Sequence, residues 1–152
     1  MRTIESAIEI DARPSVVWNV LTDFESYVEW NSFMPRVSGE ARAGSRLDLK
    51  IDPPGAREYT STPKITAVEE SRRLVWLGRV GFPHLFDERH TFYLEPIGDD
   101  KPIDGATRFR HHVVFGGVLV PLLLREDAVR RGVDEMSVAL KRRVERRAPV
   151  RA

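Results

Sequence analysis

The stretch Val129-Arg-Arg-Gly-Val133-Asp-Glu-Met136-Ser-Val-Ala-Leu140-Lys-Arg-Arg-Val144 decides the architecture. Val129, Val133, Met136, Leu140 and Val144 recur at i, i+4, i+7, i+11 and i+15, which is one face of an amphipathic helix. Pro121 can open that helix and Pro149 must end it. The spacing therefore predicts a rod of roughly 40 Å at about 1.5 Å per residue. A helix of that length can cross a whole sheet, and the residues before it read as one.

Upstream, Ile4, Ile8 and Ile10 alternate with Glu5 and Glu9, the two-residue period of a half-buried strand. Pro14 then reads as the first position of a short helix with Val17, Trp18 and Leu21 as its apolar stripe. Phe24, Tyr27, Trp30 and Phe33 follow at near-helical spacing, in a second short helix or an aromatic-rich loop. From Val37 to Phe115 the chain reads as a meander. Gly39 and Gly44 flank a turn, Leu47, Leu49 and Ile51 alternate with charged residues, and Asp52-Pro-Pro-Gly55 is a turn. A strand spans Tyr59 to Glu69, with Pro63 forcing an edge or bulge and leaving its phase open. Strands at Leu74 to Val80, Phe86 to Glu95 and Thr107 to Phe115 complete the set, with the last turn between Gly98 and Gly105. Short connections imply antiparallel pairing of neighbours. The class is α+β, in one domain over residues 1–152.

Composition bounds the function. Hydrophobic residues make up 41% and charged residues 31%, ordinary for a soluble globular chain. No apolar run approaches the roughly 20 residues of a membrane span, and the chain opens on strand-like sequence without a basic-then-apolar leader. A net charge of +1 gives no global pull toward nucleic acid or membrane. The absence of cysteine excludes disulfides, thiolate metal sites and cysteine nucleophiles, and a cytoplasmic location is the expectation. Neither GxGxxG nor a Walker-type run is present, so no cofactor is implied. Lys141, Arg142, Arg143, Arg146, Arg147 and Arg151 form a basic C-terminus that reads as a solvated helix end.

Strand phase collects the polar candidates. In the strand around Tyr93, the residues Phe86, Glu88, His90, Phe92 and Leu94 share one face; in the next, Phe109, His111, Val113 and Phe115 do. Glu88, His90 and His111 are thus expected inward beside Leu74 and Trp76, on an otherwise apolar surface. Such groups need hydrogen-bond partners or a ligand. On one reading the two histidines and Glu88 satisfy each other within the core. On the other they orient a small molecule in an apolar cavity, or Glu88 and His90 act as an acid–base pair. No nucleophile motif accompanies them. His111 and His112 point to opposite faces and no H-x-x-x-H pair exists, so no metal site is expected. Trp30 and Phe33 are either core or a pocket lid.

Several stretches resemble the START-like, or SRPBCC, superfamily, in its polyketide cyclase/dehydrase-like branch. They are Ile8-Glu-Ile-Asp-Ala-Arg-Pro14 with Val17-Trp18-Asn-Val-Leu-Thr-Asp23-Phe24, and Tyr27-Val-Glu-Trp30-Asn31-Ser-Phe33, where Ser32 replaces the commoner proline. Leu74-Val-Trp76-Leu-Gly78, Phe86-Asp-Glu-Arg-His90-Thr-Phe92 and Phe115-Gly-Gly-Val-Leu-Val-Pro121 continue the pattern. The resemblance runs from about Thr3 to Arg147. It implies the helix-grip fold: a seven-stranded antiparallel sheet wrapped around the C-terminal helix, with two short helices on the open side. It also implies a cavity for a hydrophobic small molecule (lipid, polyketide or similar) between sheet and helix. Trp30, Trp76, Glu88 and His90 fall on matching stretches near that cavity. Phe33, Phe92, His111 and Met136 join them as candidate ligand-binding residues. Binding, transport or sequestration is the function expected. A cyclase or dehydratase using Glu88 and His90 is the alternative, and a protein-binding module of the chaperone-activator type is a distant third.

Overall fold

A computed structural model describes residues 1–79, 81–98 and 105–147. In order, it contains β1 (Arg2–Ile10), α1 (Pro14–Thr22), a 3-10 helix (Phe24–Glu29), β2 (Arg36–Ser38), β3 (Asp48–Ile51), β4 (Tyr59–Ser61) and β5 (Lys64–Glu69). There follow β6 (Arg73–Arg79), β7 (Asp87–Ile97), β8 (Ala106–Gly116), α2 (Val120–Leu123) and α3 (Glu126–Arg147). All pairings are antiparallel, in a five-stranded sheet ordered β1-β8-β7-β6-β5 and a three-stranded sheet ordered β2-β3-β4. Val80, three of the residues expected in the last turn (Asp99, Asp100 and Asp104), Pro149 and Arg151 lie outside the described residues.

The strand count departs from seven because Pro63, which cannot donate to a ladder, divides the expected Tyr59–Glu69 strand into β4 and β5. The two sheets stay joined across that break. Leu47 donates its backbone N–H to the Pro63 carbonyl, Ile65 donates to Ser45, Gly44 donates to Ile65, and Arg46 bridges Lys64.

Helix α3 also departs from expectation, since Pro121 opens only the four-residue α2. Leu124 is extended at φ −75°, ψ 122°, and turns the chain before α3 begins. The remaining 22 residues make a rod of about 33 Å. Its expected face is correct: Val133, Met136, Leu140 and Val144 are fully buried and Val129 nearly so. Polar contacts fix its course along β1: Ser6 and Ser137 meet through their hydroxyls at 3.0 Å, Lys141 reaches the Glu9 carbonyl, and Glu145 accepts the Asp11 N–H.

The aromatic segment resolves into the 3-10 helix and a turn. The buried Asn31 side chain holds that turn, its Oδ1 accepting the backbone N–H groups of Phe33 and Met34. Phe33 is thereby driven under α3, against Gly132.

Candidate functional site

Alternation on β7 and β8 turns Glu88, His90, Phe92 and Leu94, and Phe109, His111, Val113 and Phe115, toward the interior, as their phase predicts. Cross-strand register puts Trp76 opposite His90 and Phe92 opposite His111. The polar groups are therefore brought together. His90 Nδ1 lies 2.9 Å from His111 Nε2, His90 Nε2 meets Glu88 Oε1, and the Tyr59 hydroxyl donates to Glu88 Oε2 at 3.1 Å.

Burial, reinforced by His90 and His112, holds the His111 imidazole well below its ordinary value of 6.5, so His111 is neutral. Its Nδ1 has no partner among the described residues, and its Nε2 shares the hydrogen bond with His90 Nδ1. Tyr59 stays a phenol, its pKa raised well above 10.0 by burial and by Glu88. Glu88 is held through both oxygens, one by His90 and one by Tyr59.

The cavity expected against Trp76, His90, Phe92 and His111 is filled. Trp76 sits with its ring 4.9 Å from Phe92, 5.7 Å from His90 and 6.2 Å from Phe24. Phe92 in turn lies 4.4 Å from His111. The gap between Leu49, Ile51, Pro63, Trp76, Glu88 and His90 has no room for a water molecule. Phe33 and Met136 are completely buried in the same core. Trp30 instead flanks a separate surface groove with Ser32, Asp134, Glu135, Val138 and Arg142. Aromatic and histidine rings of this size close the space that sequence alone leaves open; phase tells direction, not volume.

Open space lies further along the same sheet, where it meets the α2–α3 corner. A pocket of about 440 Å³ is walled by Pro53 and Ala56 from the β3–β4 connection and by Tyr59 at the start of β4. Phe86 and Phe115 close it from the sheet, and Leu123, Leu124 and Val129 from the corner, with Arg57, Glu58, Thr60 and Arg125 completing the lining. Phe86 and Phe115 pack ring to ring at 5.8 Å. Tyr59 is the one member of the polar chain in that lining. The sequence reading missed it because Pro63 obscured the phase of its strand. Val129 and Phe115 were legible as inward-facing, but nothing in their spacing distinguishes a pocket wall from core.

Among curated proteins none matches the chain. The profile of a family described as polyketide cyclase / dehydrase and lipid transport matches residues 1–148. Among solved structures, a START superfamily protein from Mycobacterium smegmatis aligns with TM-score 0.73 at 18% identity, over 96% of this chain and 99% of that one. An aromatase/cyclase from Streptomyces sp. R1128 aligns with TM-score 0.74 at 18% identity, over 98% and 96%. Norcoclaurine synthase from Thalictrum flavum, solved with dopamine and hydroxybenzaldehyde, aligns with TM-score 0.65 at 13% identity, over 98% and 89%. At these identities the likeness is one of fold: START-like, with the sheet gripping the last helix.

Proposed function

The chain belongs to the polyketide cyclase/dehydrase and lipid transport family, and on that footing we propose that it binds a hydrophobic small molecule in the pocket between Tyr59, the Phe86–Phe115 pair and the α2–α3 corner. The observation that carries this reading is the pocket itself. At about 440 Å³ it falls within the roughly 300–1,000 Å³ of small-molecule sites, and most of its walls are apolar. Each wall comes from a different element, so the fold's grip on its helix is what builds the space.

Glu88, His90 and His111 serve this reading from behind. They fix the Tyr59 ring and hydroxyl and, His111 Nδ1 apart, pair their own polar atoms inside the core, which an unpaired arrangement would destabilise. The test is native mass spectrometry of the protein as purified, beside Val129→Trp, which fills the pocket. A bound small molecule at one per chain in the wild type, absent from the variant, is the expected result. Adducts that persist in Val129→Trp would place the ligand elsewhere.

Enzymatic use of Glu88 and His90 is the second reading, and the hydrogen-bonded chain is the observation that favours it. Neither residue lines the pocket, so a proton exchanged with a ligand must pass through Tyr59. Through the Tyr59–Glu88 hydrogen bond the relay can take a proton: a ligand hydroxyl gives one to the Tyr59 oxygen as Tyr59 passes its own to Glu88. Tyr59→Phe would abolish such an activity while leaving the apolar walls, and hence binding of a purely apolar ligand, in place.

A further inference from the structure

We infer that the molecule taken by this pocket is an anionic amphiphile, an apolar body carrying a carboxylate or phosphate group. The inference rests on the pocket proposed above. Two exposed arginines, Arg57 and Arg125, stand in the lining beside the apolar walls, and they come from different parts of the chain. Arg57 comes from the β3–β4 connection, and Arg125 immediately precedes α3. Among the described residues neither pairs with a carboxylate. The acidic groups next to them in sequence are already engaged: Glu58 by Lys50 at 3.1 Å, and Glu126 by Arg2 at 3.5 Å and Arg130 at 3.7 Å.

Both therefore stand without an ion pair at the edge of a cavity with apolar walls. A guanidinium is a permanent charge whose planar fork of donors matches a carboxylate or a phosphate. A third arginine, Arg131, shapes the same rim by donating to the Pro54 carbonyl at 3.2 Å, which ties the β3–β4 connection to α3. The result is a site with an apolar interior and a cationic edge. An amphiphile satisfies both at once, its body among Phe86, Phe115 and Val129 and its head at the edge. A neutral hydrocarbon would leave the arginines unused, and a cationic one would be repelled.

Calorimetric titration of the full chain with three probes tests this. 2-Naphthoate carries the anion, 2-naphthamide is its neutral counterpart, and inorganic phosphate is the anion without a body. Naphthoate should bind roughly three- to tenfold more tightly than naphthamide, as two exposed charge pairs allow, and the gap should narrow at high salt. The Arg57→Gln/Arg125→Gln double variant should bind both probes as the wild type binds naphthamide. Phosphate should not displace naphthoate at equal concentration. Equal affinity for naphthoate and naphthamide, or displacement by phosphate alone, would overturn the inference while leaving apolar binding intact. Failure of both naphthyl probes to bind would remove the pocket reading itself, and this inference with it.

Discussion

At His111 the chain spends a buried imidazole on a structural bond and leaves its Nδ1 unpartnered among the described residues. A pH dependence of stability follows. The folded-state pKa lies well below 6.5, because burial and His90 disfavour the charged ring. As pH falls below about 6.5 the unfolded chain takes a proton that the folded chain refuses, so stability present above that pH is lost beneath it. For one proton the loss is at most about 1.4 kcal/mol per pH unit. Urea denaturation at pH 7.5 and 5.5 checks it: His111→Gln, which can still hydrogen-bond His90, should lose less stability between the two pH values than the wild type. Parallel losses would assign the effect to other groups. The inward placement of Glu88, His90 and His111 was legible because strand alternation is strict. Their contact with one another was one of the readings that alternation left open, and cross-strand register decides it. Tyr59, which completes the chain, was hidden by Pro63. Tyr59→Phe should cost about 1–3 kcal/mol, the penalty for leaving a Glu88 oxygen without its donor; no measurable loss would mean that water replaces the hydroxyl.

Among the elements, α3 shows how an ordinary rule inverts. Gly132 lies inside this helix, where alanine normally gains roughly 1 kcal/mol over glycine. Here a Cβ at Gly132 would collide with the Phe33 ring, which Asn31 holds in place. Gly132→Ala should therefore destabilise the protein, and an increase in melting temperature would show that Phe33 moves aside freely. Met136, fully buried on the same helix, should lose roughly 2–5 kcal/mol on change to alanine. A loss under about 0.5 kcal/mol would be that of a surface site. Periodicity revealed the buried face of α3 in full, because every turn repeats it. It did not reveal the break at Leu124, where no glycine or proline marks the bend. That break matters more than its size suggests: it sets Leu123, Leu124 and Arg125 around one end of the sheet and so builds a wall of the pocket.

For the molecule as a whole, the helix-grip arrangement leaves one end of the sheet packed and the other open. The packed part holds Trp76, Phe92, His90 and His111 against each other. The open part lies where Phe86 and Phe115 face the α2–α3 corner across from the β3–β4 connection. The resemblance to the superfamily implies a space between sheet and helix; its position depends on which side chains are large, and three rings on β6 and β7 close the site first expected. The central claim is that the open end binds an apolar molecule. Backbone amide NMR during titration with 2-naphthoate tests it most directly. Saturable shifts are expected to concentrate at Tyr59, Phe86, Phe115, Leu124 and Val129, and to be lost in Val129→Trp. Shifts gathered instead around Trp30 and Val138, or shifts unchanged in Val129→Trp, would contradict it.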